Sequence, residues 1–349
     1  MLTEKQVEEI RDHLNKSQNP VFFFDNDCDG LMSFLLLRRY IDRGKGVAIK
    51  SFPELDESYV RKVDELNADY IFILDKPKVS KEFIESVKKR NIPLVWIDHH
   101  DVEISIDDYE GYVNYYNPIL VNKTSEPTSF IAYNISERKE DLWLALIGCV
   151  ADNFLPDFYK DFEKKYPELV RKNVGSPFEL LYESEIGKLI MTFSFALKDR
   201  TSNVVSMINF MFKVKSPLEL IKEDEQNFKI IKRYQQIKSI YDKLLEKAKR
   251  VSRMSRRVVF FQYGGELSLS ADLANELSYR FPGKIIIVAY IKGTIANVSI
   301  RGSMDVRKLT LEAVNNIPGA TGGGHKYATG AKISVSDLPK FRDVFERGE

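Results

Sequence analysis

Residues 21 to 31, VFFFDNDCDGL, contain three aspartates at every second position directly after a run of four apolar residues. The charges of Asp25, Asp27 and Asp29 repel one another, so full ionisation requires a cation or a helix N-terminus nearby. A bound metal ion would meet this requirement. The alternative is a solvated turn between a strand and a helix, because Asp and Gly are common turn residues. This stretch by itself leaves both interpretations open.

Two other apolar runs in the first hundred residues also end in aspartate. YIFIL leads into Asp75 and LVWI leads into Asp98, which His99 and His100 follow directly. If these runs and VFFF are parallel strands of one sheet, their carboxyl ends share an edge and the carboxylates converge there. Adjacent imidazoles beside an aspartate at a strand end are rarely needed for packing. The combination therefore favours metal binding.

The donor types indicate which metal and which reaction to expect. Carboxylates with one or two imidazoles suit Mn²⁺ or Mg²⁺ better than ions that prefer thiolates. Two such ions about 3.5–4 Å apart form the clamp used for in-line attack on phosphorus. We therefore expect two divalent ions, Mn²⁺ preferred or Mg²⁺, and hydrolysis of a phosphoester.

A glycine-rich segment near the C-terminus is the second stretch with a chemical signature. In IPGATGGGHKYATGA, residues 317 to 331, Gly322, Gly323 and Gly324 precede His325. Glycines let the backbone approach an anion closely, and an imidazole can donate to a phosphate oxygen. Many loops contain consecutive glycines, but a histidine directly after them favours a phosphate-binding turn.

The nearby segment NVSIRG places Asn297, Ser299 and Arg301 on one face of a predicted strand. Arg301 could bind a phosphate in bidentate fashion. The alternative is an exposed polar strand face without a ligand, and we favour the binding role.

The elements that must position these residues follow from the hydrophobic pattern. Between residues 20 and 98, apolar runs alternate with amphipathic segments of helical length, which predicts a doubly wound, mostly parallel α/β sheet. Residues 216–252 predict a long connecting helix, because they have helical periodicity and contain neither Gly nor Pro after Pro217. Further strands and helices predict a smaller α/β domain over 253–349, leaving 1–215 as the first domain.

Composition sets limits on the class of protein. A chain of 349 residues with 44% hydrophobic and 30% charged residues predicts a globular protein of two domains. No apolar run approaches the length of a membrane span, so we expect a cytoplasmic protein. The net charge of +1 provides no global attraction to nucleic acid. The basic segment 243–257 predicts a solvated face, with a nucleic-acid contact as the less favoured alternative.

The motifs DNDCDG, LDKP, IDHH, GCVADN and GGGH occur in this order and resemble those of the DHH phosphoesterase superfamily, in the branch with a DHHA1 substrate domain. The resemblance extends from Asp25 to Gly330. Within the superfamily, the chain is most similar to the archaeal RecJ-like exonucleases, a group that includes the nuclease associated with the helicase Hef. The resemblance implies a DHH domain with a metal centre over 1–215 and a DHHA1 domain over 253–349.

The resemblance also implies roles for individual residues. The positions that match metal ligands are Asp27, Asp29, Asp75, His99 and Asp152, with Asp75 bridging the two ions. Asp98 would orient the histidines, and His100 would contact the phosphate or stabilise charge in the transition state. Arg301 and the turn from Gly322 to His325 match the part of DHHA1 that holds the phosphate of the substrate.

One position departs from the family pattern. Several branches carry a metal-binding histidine four residues before Asp27, and this chain has Phe23 there. We expect Asp25 to substitute for it as a ligand, which would make one metal site weaker than in the relatives.

The leading hypothesis is a metal-dependent exonuclease that removes mononucleotides from single-stranded DNA or RNA in repair or replication. It predicts a basic channel between the domains, with Tyr263, Tyr290 and Tyr327 as candidate stacking platforms or as core residues. The partners implied are single-stranded nucleic acid, a repair helicase or replisome protein, and further copies of this chain. Two alternatives are a phosphodiesterase of very short oligonucleotides, cyclic dinucleotides or phosphoadenosine phosphate, and a non-catalytic replication scaffold. A family II pyrophosphatase is less favoured because that family lacks the GGGH turn.

Overall fold

The computed structural model of this protein describes residues 1–51, 54–101, 111–222, 224–225 and 227–347. The chain forms two compact units, Met1–Tyr234 and Gln235–Glu349. Each unit is built on its own five-stranded sheet.

The strands of the first unit form one parallel sheet and one short pair. They are β1 (Pro20–Asp25), β2 (Lys45–Ile49), β3 (Glu54–Leu55), β4 (Tyr70–Leu74), β5 (Lys78–Val79), β6 (Leu94–Ile97) and β7 (Val113–Tyr116). The main sheet has the order β2-β1-β4-β6-β7, and β3 pairs with β5. All neighbouring strands of the main sheet run parallel, as the alternating pattern predicted.

Both faces of the three central strands, β1, β4 and β6, are buried, which explains why these strands are apolar at nearly every position. Along β1, Phe22 and Phe24 pack into one hydrophobic cluster, whereas Val21 and Phe23 pack into another. Successive side chains of a strand point to opposite faces, so the two clusters lie on opposite sides of the sheet. The doubly wound α/β fold predicted from the sequence is confirmed.

Twelve helices of the first unit lie in the described residues and supply these two layers. They are α1 (Glu4–Lys16), α2 (Cys28–Ile41), α3 (Val60–Glu65), α4 (Lys81–Lys88), α5 (Pro118–Asn122), α6 (Thr128–Ser136), α7 (Leu142–Ala151), α8 (Tyr159–Lys165), α9 (Pro177–Glu183), α10 (Glu185–Ala196), α11 (Thr201–Met211) and α12 (Leu218–Ile221). Helix α7 is buried from Leu142 to Val150. A Cβ at Gly148 would lie 2.4 Å from Oγ of Ser129, so this glycine lets α7 pack closely against α6.

The long helix expected over 216–252 is interrupted. After α12 the chain begins a new helix, α13 (Phe228–Met254), which contains the division between the two units. Asp224 and Asn227 each donate a backbone N–H to the other's side-chain oxygen at 2.9 Å. This reciprocal pairing is the hydrogen-bond pattern of a capping box, and it begins a helix rather than continuing one.

The second unit has a smaller mixed sheet. Its strands are β8 (Val258–Gly264), β9 (Ile285–Lys292), β10 (Ile295–Arg301), β11 (Thr321–His325) and β12 (Ala328–Ser334), and its other helices are α14 (Ser270–Arg280), α15 (Val306–Asn315) and α16 (Leu338–Arg347). The sheet order is β11-β12-β10-β9-β8; β8 and β9 run parallel and the other pairs antiparallel. Within the described ranges, none of the helices has both the length and the apolar character needed to cross a membrane.

Candidate metal centre

Three neighbouring strands bring aspartates to one edge of the first sheet. Strand β1 ends at Asp25, Asp75 follows β4, and Asp98 follows β6. Because β4 lies between β1 and β6 and all three are parallel, the three residues lie at the same carboxyl edge. The backbone N–H of Asp75 donates to the carbonyl of Ile97 at 2.9 Å, which fixes Asp75 against β6. We call the group of carboxylates at and around this edge the acidic edge: Asp25, Asp27, Asp29, Asp75, Asp98 and Asp152.

Asp75 has a φ of 58°, in the left-handed region that is uncommon for residues other than glycine. Its side chain is buried. A backbone in this sparsely populated region persists only when the surroundings hold it, and such positions cluster at functional sites.

The two histidines lie against Asp75. Nε2 of His99 is 3.3 Å from Oδ1 of Asp75 and 3.6 Å from Oδ2 of Asp152. The hydroxyl of Ser125 donates to the carbonyl of His99 at 3.0 Å and lies 3.4 Å from its Nδ1. Ser125 therefore holds the imidazole with Nε2 towards the two carboxylates.

Asp152 lies at the end of helix α7, and tertiary packing brings it to the acidic edge. Its backbone N–H donates to the carbonyl of Gly148, as in an ordinary helix end. Nothing in the local sequence distinguishes it from other helix-end aspartates, and only the family resemblance singled it out. In the fold it lies beside His99, with its side chain 40% exposed.

The first turn of α2 carries Asp27 and Asp29. Asp27 is the N-cap residue, and its Oδ1 accepts a hydrogen bond from the backbone of Gly30 at 2.9 Å. A Cβ at Gly30 would lie 2.5 Å from the carbonyl oxygen of Asp25. Only glycine therefore allows α2 to begin so close to the end of β1.

Asp29 is buried and bonded to the start of α6. Its Oδ2 accepts from the backbone N–H of Thr128 at 2.7 Å. Its Oδ1 accepts from the backbone N–H of Ser129 at 2.9 Å and also from the Ser129 hydroxyl. Sequence reasoning missed Thr128 and Ser129, because their contact is with a residue about 100 positions earlier in the chain. Asp29 thus joins α2 to α6 and keeps a lone pair on Oδ2 for a further partner.

The negative charges at the acidic edge disfavour one another's ionisation. Burial and the charges of Asp25 and Asp29 raise the pKa of Asp27 to about 7. Burial and the surrounding carboxylates also raise the pKa of Asp75 well above its usual range. A divalent cation relieves this repulsion, and binding it would displace the protons.

The donor set fits such a cation. One ligand atom from each of Asp75, His99 and His100 lies within 4.8 Å of the others. With Asp27 and Asp152 nearby, the donors are mostly carboxylate oxygens with imidazole nitrogen, a set suited to Mn²⁺ or Mg²⁺. The chain therefore contains a candidate site for divalent metal.

His100 forms an ion pair with Asp98. Nδ1 of His100 lies 2.7 Å from Oδ1 of Asp98, which is fully buried. Burial alone would lower the pKa of His100, but the charge and hydrogen bond of Asp98 raise it to about 9. Burial likewise would raise the pKa of Asp98, and the paired imidazole lowers it. The pairing with Asp98 thus favours the protonated form of His100, whose Nδ1 lies 4.0 Å from Oδ1 of Asp75.

The second unit contains the other predicted group. Nε of Arg301 donates to Oδ1 of Asn275 at 2.6 Å, and its Nη1 donates to the carbonyl of Ile300 at 2.8 Å. The hydroxyl of Ser299 bonds that of Ser270 at 2.9 Å and is buried. Ser299 is therefore not part of an exposed polar face, its hydroxyl already has a partner, and its role in substrate binding stays a prediction.

Asn297 lies on the same strand as these residues and is partly exposed.

The segment from Gly322 to His325 is a strand and not the turn expected from its glycines. It forms β11, which pairs with β12 and lies at the edge of the sheet. Gly324 has a φ of 130°, and a Cβ there would lie 2.6 Å from the carbonyl oxygen of Ala328. Gly324 is needed for this close pairing, whereas a Cβ at Gly323 would meet no atom within 4 Å. An edge strand presents backbone N–H groups outward.

The three candidate stacking tyrosines have different environments. Tyr263 and Tyr290 are buried, with ring centroids 5.4 Å apart, and belong to the core. Tyr327, next to β11, is 52% exposed. Only Tyr327 of the three is available as a platform for a base.

Comparison with known families identifies the class of protein that this fold and site define. Residues 21–151 match the DHH family, N-terminal domain, and residues 256–347 match the DHHA1 domain. The chain belongs to the DHH/DHHA1 phosphoesterase superfamily, as its motifs predicted.

Solved structures share the fold over nearly the whole chain. A manganese-bound exonuclease RecJ has 11% identity and a TM-score of 0.63, covering 99% of this chain and 94% of that one. The DHH domain of a member of a ribosomal protein family has 17% identity and a TM-score of 0.68, covering 98% and 89%. A pGpG-specific phosphodiesterase from Vibrio cholerae has 12% identity and a TM-score of 0.51, covering 95% and 100%. The comparison with curated proteins found no significant match.

Proposed function

We propose that the protein is a divalent-metal-dependent phosphodiesterase that removes mononucleotides from single-stranded DNA or RNA. The observation that carries this proposal is the convergence of Asp75, His99, His100 and Asp152 at one edge of the sheet. A bound Mn²⁺ or Mg²⁺ would polarise the phosphoryl group and activate water for attack on phosphorus.

The residues of the acidic edge would have different roles in metal binding and hydrolysis. Asp27, Asp29, Asp75, His99 and Asp152 would hold the metal. Asp75 and His99 belong to the candidate site, Asp152 lies beside His99, and Asp27 and Asp29 match ligand positions of the family. His100 carries positive charge, and a phosphodiester gains negative charge at its non-bridging oxygens during attack, so His100 would stabilise that charge. Asp98 holds His100 in place and keeps it protonated.

The second unit would bind the nucleic acid through its phosphates. Arg301 is held by Asn275 and by a backbone carbonyl, so its guanidinium is fixed before a phosphate arrives. The N–H groups of the β11 glycines and His325 would add donors, and Tyr327 would stack on a base. Lys247, Arg250 and Arg253 lie exposed on α13 and would attract the phosphate backbone.

The test is digestion of single-stranded DNA and RNA, labelled at the 5′ or the 3′ end, with and without Mn²⁺. We expect mononucleotides to be released only with the metal, and the labels to report polarity and sugar preference. Preferential turnover of a dinucleotide or cyclic dinucleotide would instead make the protein a short-oligonucleotide phosphodiesterase. No hydrolysis of either class would support the scaffold alternative.

Asp64→Asn is a matched control for loss of a carboxylate in the first unit. Asp64 pairs with Arg90, and these residues lie near the C-terminal ends of α3 and α4. Each of those helices leads into a strand of the parallel sheet, so Asp64 lies at the edge opposite Asp75. Its replacement should leave hydrolysis unchanged.

A further inference from the structure

We propose that the ammonium group of Lys76 takes the place of one of the two divalent ions expected at the acidic edge, so that the chain binds a single ion tightly. This inference rests on the metal-binding part of the proposed function. It concerns the number of ions and assigns a role to the lysine of the LDKP motif, for which the resemblance implied none.

The side chain of Lys76 is fully buried and its charge is directed at Asp25. Nζ lies 2.9 Å from Oδ1 of Asp25 and donates to the carbonyl of Ser51 at 2.8 Å. A buried ammonium is costly unless it is paired and hydrogen-bonded, and both requirements are met here. Lys76 therefore provides a fixed positive charge within the acidic edge.

The backbone of Lys76 is fixed as well. Its carbonyl accepts a hydrogen bond from Nε1 of Trp96 at 2.8 Å. The preceding residue, Asp75, has the left-handed backbone described above. The same short segment thus carries the central carboxylate of the candidate metal site and the cation that neutralises its neighbour.

The position of this cation is where the second ion would need a ligand. Asp25 ends β1 beside β4, which leads into Asp75, and it lies two residues before Asp27, so it belongs to the same cluster. It is also the residue expected to replace the missing histidine ligand. A divalent ion bound to either carboxylate oxygen of Asp25 would lie close to the ammonium of Lys76 and would be repelled by it.

The side chain of Phe23 cannot supply the missing ligand for a second ion. Phe23 is fully buried in the apolar cluster on one face of the sheet, and its ring lies 5.5 Å from that of Phe83, centroid to centroid. The second ion therefore lacks an imidazole from this position and competes with Lys76 for Asp25. The remaining carboxylates, Asp27, Asp75 and Asp152, stay grouped with His99 for one ion.

The experiment counts ions without measuring hydrolysis. Mn²⁺ is titrated into the full chain, free Mn²⁺ is followed by its electron paramagnetic resonance signal, and bound metal is checked by elemental analysis. We expect one tightly bound ion per wild-type chain and no spin-coupled Mn²⁺ pair. In Lys76→Met, a variant of similar length without the charge, a second ion should bind at least about tenfold more tightly than in wild type.

Two further variants serve as controls for the ion count. Lys78→Met makes the same charge change at an exposed residue two positions further on and should leave the count at one. Asp25→Asn should keep the tight ion with its affinity changed less than about threefold, because Asp25 serves Lys76 and not that ion. This variant decides the matter if Lys76→Met does not fold.

The outcomes separate this inference from the proposed function. Two tight ions in wild type, or loss of the tight ion in Asp25→Asn, would overturn the role of Lys76 and leave a metal-dependent phosphodiesterase intact. If no Mn²⁺ binds to the wild-type chain, the proposed function itself fails and the inference fails with it.

Discussion

Ser129 donates both its backbone N–H and its hydroxyl to Oδ1 of Asp29, a residue 100 positions earlier in the chain. The start of α6 is thereby tied to the first turn of α2, and the helix N-terminus stabilises a buried carboxylate. This contact answers part of the question raised by the three closely spaced aspartates. Asp29 is held by the N-terminus of α6, Asp27 caps α2, and Asp25 pairs with Lys76, so each has a different partner.

Removal of the Ser129 hydroxyl should destabilise the first unit. We expect Ser129→Ala to lower the free energy of unfolding by about 2 kcal/mol, because a buried hydrogen bond to a charged group is lost. Urea unfolding followed by circular dichroism measures the change. Ser202→Ala, at an exposed position on α11, is the control and should change stability little. Equal stability of the two variants would show that the hydroxyl contact contributes nothing.

Replacement of Asp75 should abolish metal-dependent hydrolysis without unfolding the protein. Asp75→Asn is preferable to alanine because asparagine also tolerates the left-handed backbone at this position. We expect Mn²⁺ affinity and kcat each to fall more than about 100-fold, beyond the effect of losing a group that merely supports a ligand. Calorimetric titration and digestion of a labelled strand measure the two losses. Activity close to that of Asp64→Asn would remove Asp75 from the centre of the mechanism.

His99→Ala should have the same direction of effect, because its Nε2 faces both Asp75 and Asp152. Mn²⁺ titration of this variant should show weaker binding, with circular dichroism unchanged. Full activity in His99→Ala would contradict the proposed metal site.

The charge of His100 should matter for the chemical step more than for metal binding. We expect His100→Gln to lower kcat by about 10²–10³-fold, the usual cost of removing one group that stabilises developing negative charge. Mn²⁺ affinity should change only a few-fold. A large loss of Mn²⁺ affinity would instead identify His100 as a metal ligand beside His99.

Arg301 should contribute to substrate binding. We expect Arg301→Ala to raise KM by about 10- to 100-fold with a smaller change in kcat, because a charge-assisted hydrogen bond to phosphate contributes about 1.5–3 kcal/mol. Steady-state digestion of a single strand separates the two constants. Arg347→Ala, at the exposed end of α16, is the control. An unchanged KM in Arg301→Ala would exclude a phosphate contact.

The stability of the first unit should decrease on mild acidification through His13. Burial and the charge of Lys16 lower the pKa of His13, whose ring also contacts the hydroxyl of Tyr70. Below the ordinary histidine pKa of about 6.5, the unfolded chain therefore binds a proton that the folded chain does not. Unfolding free energies of wild type and His13→Gln, measured by urea between pH 5 and 8, should differ less as the pH falls. A constant difference would exclude this linkage.

The fold could be predicted because its signals are local and repeated. The three central strands of the first sheet, β1, β4 and β6, are continuous apolar runs, and the aspartates at their ends mark the carboxyl edge. Strand β7 was missed because it is short and only partly buried. Strand β11 was missed because glycine has little strand propensity, and its pairing with β12 decides the structure.

The site could be predicted only in outline. Position directly after an apolar run was enough to predict Asp25, Asp75, Asp98 and the two histidines as site residues. Asp152 and Ser129 are brought to the site by the packing of α6 and α7, which no local pattern encodes. No role was predicted for Lys76, although it lies in the LDKP motif. The burial of a lysine depends on the surrounding elements and cannot be seen in its local sequence.

Because Trp96 is hydrogen-bonded to Lys76, its fluorescence can report on the metal centre. The chain has two tryptophans, and the other, Trp143, lies within α7. In a Trp143→Phe background all tryptophan emission would arise from the indole attached to the segment that carries Asp75. Quenching by paramagnetic Mn²⁺ would then follow loading of the centre in real time, with no label added.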